Sequence, residues 1–169
     1  MVFALASRTL RTSSYRSLLS QTAGARRGYA EAVSDKLKLS FVVPHQAFYD
    51  NVEVTQVNVP AVTGDLGILS AHVPTVEQIR PGLLEVIESS GTSKKFFVSS
   101  GFATIHPNNR LTINAIEAYT VDKFSPEAVR QGLADAQRVA SGNGSAEEKA
   151  AAEIEVEVFT ALQHALSQN

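Results

Sequence analysis

Hydrophobic residues in the first half of the chain follow the period of two that is typical of β-strands. Leu37, Leu39, Phe41 and Val43 fall on alternate positions, which predicts a strand buried on one face. The run ends at Pro44, where a strand interior would lose a backbone hydrogen-bond donor.

The next apolar run changes phase part-way along. Val52 and Val54 share one phase, whereas Val57 and Val59 share the other. A shift of one residue would turn the later side chains to the wrong face of a sheet. We therefore predict a β-bulge near residues 55–56, because a bulge inserts the one extra residue that restores the phase.

Residues 60–82 are rich in proline and glycine, and small apolar residues lie between these turn formers. This composition predicts an ordered loop system around the apolar stretch Leu66–Leu69. Four further strands are predicted from their alternation: Leu83–Glu88, Lys95–Ser99, Phe102–His106 and Leu111–Tyr119. Many short strands with turns at this spacing indicate a β-sandwich or a flattened barrel.

The period changes to 3.6 near the C-terminal end. Ser125 is predicted to cap a helix that begins at Pro126, and that helix ends in the turn of residues 141–144. Ser145 and Glu148 have the spacing of a capping box at the start of a second helix. The first helix has a single apolar stripe: Val129, Leu133, Ala136 and Ala140. Two helices joined by four residues predict an antiparallel hairpin.

The second helix has apolar residues on two sides. The stripe expected to face the first helix contains Ile154, Val158, Ala161, Leu162 and Ala165. A second set lies on nearly the opposite side: Ala152, Val156 and Phe159. We interpret this as a helix that lies between its mate and the β domain. The alternative is that the second set forms an exposed site for a partner.

The first 30 residues contain five arginines and no acidic residue: Arg8, Arg11, Arg16, Arg26 and Arg27. An arginine-rich, serine-rich and acid-free start is typical of a mitochondrial transit peptide, predicted here for residues 1–29 with Ala30 as the mature start. Removing the five arginines from 15 basic residues leaves 10 against 17 acidic ones, a net charge of −7. The alternative, a basic tail for nucleic acid, fits poorly with so acidic a remainder.

The sequence contains no recognisable catalytic motif. It has no cysteine, and its four histidines have none of the spacings of a metal site. No serine lies in a G-x-S-x-G turn, and the glycines of residues 63–67 lack the Gly-Lys-Ser/Thr of a phosphate-binding loop. The glutamates of the second helix are expected to form a solvated face. We therefore predict no catalytic residue, no metal and no cofactor.

Residues 59–75 read V-P-A-V-T-G-D-L-G-I-L-S-A-H-V-P-T, a glycine, histidine and proline pattern that two further segments follow in order, residues 80–82 and 96–101. This pattern resembles the signature of the delta/epsilon family of F1Fo ATP synthase subunits, in which the mitochondrial delta subunit corresponds to the bacterial and chloroplast epsilon subunit. The resemblance covers residues 36–166.

The resemblance implies a β-sandwich of about ten strands, placed at residues 30–121, followed by an α-helical hairpin at residues 122–169. It implies a non-catalytic subunit of the central stalk that links gamma to the c ring and couples proton flow to ATP synthesis by rotation. The partners would be gamma, the c ring and the small mitochondrial epsilon subunit. The location would be the matrix side of the mitochondrial inner membrane.

Two residues of the motif are candidates for contact with the c ring, since the family's G-E-x-G-I and G-H-x-P elements face its polar loops. By motif these are Asp65 and His72, although Asp replaces the family's Glu and Ser70-Ala71 replaces Pro-Gly. The alternative is that Asp65 forms a turn and His72 braces the loop. The residues expected to shape this region are Gly64, Gly67, Pro74, Pro81 and Gly82.

Two departures from bacterial relatives bear on the hairpin. The ATP-binding motif I/L-D-x-x-R-A of some relatives has no counterpart at residues 124–129, which lack both the Asp and the Arg. The inhibitory hairpins of bacteria carry basic residues on the second helix, whereas here that helix carries five glutamates over residues 147–157 against Lys149. We predict that the hairpin does not bind ATP, stays folded on the β domain and does not inhibit hydrolysis.

Two other functions compete with the rotor subunit. One is a stand-alone β-sandwich of the mitochondrial matrix that binds a small ligand, which should have an open apolar pocket. The other is a small hydrolase or metal-dependent enzyme, which the missing motif spacings disfavour.

Overall fold

The computed structural model describes residues 36–168, so the predicted transit peptide and the mature start at Ala30 lie outside the described residues. Within these residues, nine strands precede two helices. The strands are β1 (Leu37–Val43), β2 (Gln46–Ala61), β3 (Gly64–Ile68), β4 (Thr75–Ile79), β5 (Gly82–Glu88), β6 (Ser93–Val98), β7 (Gly101–His106), β8 (Arg110–Ala115) and β9 (Ala118–Thr120). A 3₁₀ turn at Val121–Lys123 leads to helices α1 (Pro126–Ala140) and α2 (Ala146–Ser167).

The strands form a sandwich in the order β1-β8-β7-β4-β2-β5-β6-β9, and β3 is added to β2. The 16-residue β2 belongs to both halves of this arrangement. Its first part pairs with β1 as far as Val54, and the remainder pairs with β3, β4 and β5. β1 and β8 are parallel, and the other pairs are antiparallel. The predicted β-sandwich with a helical hairpin is confirmed, with nine strands in place of about ten.

The core follows the predicted alternation. Leu37, Leu39, Phe41 and Val43 are all buried in β1, with partly exposed residues between them. The ring of Phe41 lies 5.0 Å from that of Phe48 and 5.3 Å from that of Phe96 between ring centroids. Such aromatic pairs contribute about 0.5–1.5 kcal/mol each beyond the area that they bury.

The predicted bulge is present. In the pairing of β2 with β5, Val54 lies opposite Glu88, but the next partner, Ile87, lies opposite Gln56. The extra residue brings Val54 and Val57 to the same buried side. Val52, which shares the phase of Val54, is 44% exposed.

Two strands occupy the region that the sequence predicts as loops. β3 pairs with β2 and β4 pairs with β7, so the proline- and glycine-rich segment is part of the sheet. The single strand predicted at Leu111–Tyr119 is also divided. β8 pairs with β7, whereas β9 pairs with β6, so the chain changes partners between them and cannot continue as one straight strand.

Both helix starts are confirmed. Ser125 Oγ accepts a hydrogen bond from the Ala128 N–H, and Pro126 is the first residue of α1. Ser145 Oγ accepts from the Glu148 N–H at 3.2 Å, and the Glu148 carboxylate accepts from the Ser145 N–H at 2.8 Å. This reciprocal pair satisfies two backbone donors that the first turn of a helix leaves without partners.

The stripe assignment on α2 is wrong at Ile154, which is exposed, and at Phe159, which faces α1 instead of the opposite side. Ile154 is 64% exposed, whereas Ala152, from the opposite side, is buried. A Cβ at Gly132 of α1 would lie only 2.6 Å from Cζ of Phe159, so the missing side chain lets the ring approach α1 closely. The side of α2 that carries Phe159 therefore faces α1. The interpretation that α2 lies between its mate and the β domain agrees with the contacts of α2 to both α1 and β5.

Candidate functional site

Asp65 lies in β3 opposite Pro60 of β2, and its carboxylate is engaged within the chain. Arg80, which follows β4, donates from Nη2 to Asp65 Oδ1 at 2.6 Å and from Nε to the Ala61 carbonyl at 3.3 Å. The Asp65 side chain is 77% exposed and that of Arg80 is 42% exposed. Such an exposed ion pair contributes at most about 1 kcal/mol to stability. The carboxylate therefore remains accessible to an external partner, but it would bind that partner and Arg80 at the same time.

Sequence reasoning missed Arg80 as the partner of Asp65. The two residues are 15 positions apart, and the pairing depends on β3 and β4 being strands. A reading of this region as loops contains no register that would place them together. The signal was nevertheless present, because the Leu66–Leu69 stretch has the apolar content of a short strand.

The three glycines near Asp65 differ in what a side chain at each position would meet. Gly64 has φ of 131°, a conformation that residues with a Cβ rarely adopt, and nothing lies within 4 Å of the Cβ position. A Cβ at Gly82 would lie 2.8 Å from Cβ of Pro60, so this glycine allows close packing of β5 on β2. At Gly67 the nearest atom would be Gln56 Nε2 at 3.3 Å, the end of a flexible side chain.

His72 lies in the connection of residues 69–74 between β3 and β4, which Pro74 ends. Its Nδ1 is 2.9 Å from the Val73 carbonyl oxygen, so the N–H form of Nδ1 donates to it. The neighbouring Leu69 and Val73 are 48% and 73% exposed. This connection, which we call the His72 loop, therefore presents a histidine between two exposed apolar side chains.

Asp65 and His72 are not brought together. The His72 loop leads into the first residue of β4, whereas Arg80, which holds Asp65, directly follows the last. β4 has five residues and so separates the two by about 15 Å of extended chain. A partner that contacts both must extend along the β3–β4 side of the sandwich. Pro81 links β4 to β5 at the Asp65 end.

A cleft of about 320 Å³ lies between the sandwich and α2, close to Asp65. Charged and polar side chains contribute much of its lining, among them Arg80, Glu85 and His164. Two hydrogen bonds to the Glu85 carboxylate, the more important from Ser93 and the other from Asn58, hold the pKa of Glu85 below its ordinary value of 4.5. At the edge of the cleft, Lys95 Nζ of β6 donates to the Gln168 carbonyl after α2.

Apolar contacts complete the attachment of the hairpin. Phe97 of β6 is buried against Val129 of α1 and against Leu162 and Ala165 of α2. The ring of Phe97 meets that of Phe124, just before α1, edge to face at 5.7 Å.

Within residues 36–168, no three histidine, acidic or cysteine side chains are grouped so that they could hold a metal ion. No helix in that same range is both long and apolar enough to cross a membrane.

Comparison with known families gives two matches that together follow the two parts of the fold. Residues 36–121 match the β-sandwich domain of the ATP synthase delta/epsilon chain. Residues 124–164 match the C-terminal domain of the fungal epsilon subunit of F1F0-ATP synthase. The chain belongs to the ATP synthase delta/epsilon family.

Relatives of this family match over nearly all of the chain. The chain is 54% identical to "ATP synthase subunit delta, mitochondrial" of Agaricus bisporus over 164 residues, which is 97% of this chain and 100% of that one. It is also 54% identical to the subunit of the same name from Neurospora crassa, over 83% of this chain and 86% of that one. The resemblance drawn from residues 59–75, 80–82 and 96–101 is confirmed.

The delta/epsilon fold is also found in a solved assembly. A chain of the Euglena gracilis mitochondrial ATP synthase, in a structure described as OSCP/F1/c-ring in rotational state 1, superposes with a TM-score of 0.75 at 25% identity. The superposition covers 78% of this chain and 82% of that one.

Proposed function

We propose that the chain is a non-catalytic rotor subunit of the central stalk of mitochondrial F1Fo ATP synthase. In this role it links gamma to the c ring and couples proton translocation to ATP synthesis by rotation. The observation that carries the proposal is the family match over both parts of the fold, residues 36–121 and 124–164. The names of the relatives, mitochondrial ATP synthase delta subunits, support the complex and the organelle.

The attachment of the hairpin suits a part that transmits torque, because a coupling element must not yield between its two halves. The hairpin is fixed to the sandwich by the packing of Phe97 against the two helices and by the hydrogen bond from Lys95 to the Gln168 carbonyl. We propose that this hairpin stays folded on the sandwich, binds no ATP and does not inhibit hydrolysis. The acidic surface of α2, with glutamates over residues 147–157, supports the last point because it would repel other acidic surfaces.

The proposed partners are gamma, the c ring and the small mitochondrial epsilon subunit. The chain would act on the matrix side of the inner membrane, attached through the complex, after removal of residues 1–29 as a transit peptide. The competing function, a matrix module that binds a small ligand, would need a suitable site. The cleft beside α2 contains the Asp65–Arg80 ion pair and several hydrogen-bonding side chains among its apolar residues, so it is not the open apolar pocket that such a module should have.

We further propose that the β3–β4 side of the sandwich meets the c ring, with Asp65 and His72 as contacts. Asp65 would accept from a basic group of the ring while still paired with Arg80. His72 would exchange a hydrogen bond with a polar group, and the exposed Leu69 and Val73 would be covered. The proposed contact is extended, since β4 separates its two ends.

The function is tested by depleting the protein and measuring oligomycin-sensitive ATP synthesis and proton leak in isolated mitochondria. We expect synthesis to fall, with an unstable rotor or a membrane that leaks protons. Unchanged synthesis with an intact F1Fo complex would refute the rotor function and favour the ligand-binding module.

The contact residues are tested by restoring the depleted protein with variants. Asp65→Asn and His72→Ala should each lower coupled synthesis without reducing the amount of assembled complex. The matched control is His45→Ala, which replaces an exposed histidine in the β1–β2 turn and should behave as the unaltered chain does. Full activity of both contact variants would show that these residues only shape the loop.

A further inference from the structure

The His72 loop contains a residue in an unfavourable backbone conformation. Ala71 has φ of 60°, in the left-handed region where a Cβ crowds the backbone. Ala71 directly precedes His72, so rotation about its backbone bonds would redirect the histidine. Some interaction must hold this conformation in place, because an alanine left to itself would adopt a negative φ.

Asn109, in the turn between β7 and β8, supplies that interaction. Its side-chain Oδ1 accepts a hydrogen bond from the Ala71 N–H at 2.6 Å across 38 residues of sequence. Its own carbonyl oxygen accepts from the Lys38 N–H at the start of β1, at 2.8 Å. Asn109, in the β7–β8 turn, therefore connects the His72 loop to β1.

The environment of Asn109 sets it apart from other polar residues. It is 6% exposed, and within residues 36–168 no other polar or charged residue is classed as buried. Its φ of 56° is one that asparagine tolerates better than most residues with a Cβ. A polar side chain is buried at a cost unless it is hydrogen-bonded, so the bond to Ala71 favours one rotamer of Asn109 and one position of the loop.

We propose that Asn109 is the positioning residue of the His72 loop, and that it sets the direction in which His72 and Val73 are presented to the c ring. This inference rests on the proposed function of the chain. It assigns to a residue outside residues 59–75 the control of the contact that the loop would make. In this proposal Asn109 acts through Ala71.

The test compares substitutions at two adjacent asparagines. Asn109→Gly removes the acceptor while keeping a positive φ favourable, so it changes the side chain without adding strain. Asn108→Gly is the matched control, because Asn108 also has a positive φ of 68° but is exposed. Asn109→Asp keeps an oxygen that can accept from Ala71 and should rescue. All three are made in the full chain.

The first measurement is hydrogen exchange of the Ala71 amide by NMR on the purified chain. In Asn109→Gly we expect exchange to be faster by about tenfold, the effect of losing one net hydrogen bond, while amides of β1 and β8 keep their rates. In Asn108→Gly and Asn109→Asp the Ala71 rate should change by less than about twofold, since both retain an acceptor for that amide. An unchanged Ala71 rate in Asn109→Gly would refute the positioning role.

The second measurement is oligomycin-sensitive ATP synthesis in mitochondria that carry each variant. Asn109→Gly should lose as much synthesis as His72→Ala, and Asn109→Asp should recover most of it. If His72→Ala is impaired but Asn109→Gly is not, the positioning role is wrong, whereas the contact stands. If neither variant is impaired although depletion abolishes synthesis, the contact and its positioning both fail, but the rotor function survives.

Discussion

Replacing Gly82 with alanine tests whether close packing of β5 on β2 shapes the region around Asp65. The new Cβ would lie 2.8 Å from Cβ of Pro60 and 3.1 Å from its Cγ. Ordinary contacts between carbon atoms are about 3.5–4.0 Å, so one backbone must move by most of an ångström. Pro60 is a rigid ring next to the last residue of β2, where it is paired with β3 and is itself buried, so it cannot move aside as a flexible side chain could.

The size of the effect follows from two opposing terms. Overpacking of this kind costs about 1–3 kcal/mol. Alanine offsets about 0.4–1 kcal/mol of this by restricting the unfolded chain. We therefore expect Gly82→Ala to lower the free energy of unfolding by about 1–2 kcal/mol. With a typical dependence of roughly 2 kcal/mol per molar urea, the midpoint should fall by about 0.5–1 M.

Gly67→Ala is the matched control, because neither glycine has φ in the left-handed region and both substitutions add the same atom. Its Cβ would meet the amide ends of Gln56 and Asn58 at 3.3 and 3.4 Å, and these side chains can withdraw. Its urea midpoint should stay within about 0.3 M of the unaltered chain. Urea unfolding of both variants is monitored by circular dichroism. Equal midpoints would refute the argument that Pro60 makes Gly82 necessary.

Three further predictions concern the hairpin and the cleft. Gly132→Ala places a Cβ 2.6 Å from Phe159 Cζ, so it should lower the melting temperature despite the better helix propensity of alanine. Adding Phe159→Leu should restore part of the lost melting temperature, whereas a higher melting temperature for Gly132→Ala alone would show that the ring moves aside freely. Ser145→Ala removes the cap of α2 and should lower the free energy of unfolding by about 1 kcal/mol in urea titrations, and no change would mean that the first turn of α2 is not stabilised by its cap. Because the folded pKa of Glu85 is lowered, this carboxylate stabilises the fold above its ordinary pKa of 4.5, and the stabilisation is lost as the pH falls through the folded pKa. The urea midpoints of the unaltered chain and of Glu85→Gln should therefore converge between pH 7 and pH 3, whereas a constant difference between the two midpoints would contradict the lowered pKa.

Features that depend on neighbours in sequence were predictable. The burial of alternate residues in β1, the bulge near residues 55–56 and both helix caps follow from side-chain alternation or from hydrogen bonds within four residues. In each case the structure has the predicted residue in the predicted role. These are the parts of the fold in which local and global preferences agree.

Features that depend on distant partners were not predictable in the same way. β3 and β4 are short and contain turn formers, and they become strands because β2 and β7 pair with them. Ile154 has the spacing of a core residue but is exposed, and Phe159 on another side of α2 lies against Gly132 of α1. Both errors arise because tertiary contacts override local propensity.

The candidate site shows the same division. The motif residues Asp65 and His72 were found by resemblance, and their role as contacts stays a prediction. Arg80 binds Asp65 from 15 positions away, and Asn109 binds the Ala71 amide of the His72 loop from 38 positions away. No periodicity in the sequence connects such pairs, so they become visible only when the register of the strands is known.

The course of β2 has a mechanical consequence. A sandwich whose halves are joined only by side-chain packing and turns can slide when opposite forces act on them. Here one uninterrupted strand of 16 residues pairs with β1 at one end and with β3, β4 and β5 at the other. Sliding would have to break the ladders on both sides of this strand together or stretch its covalent backbone, so the domain should behave as a stiff shaft coupling when it is twisted.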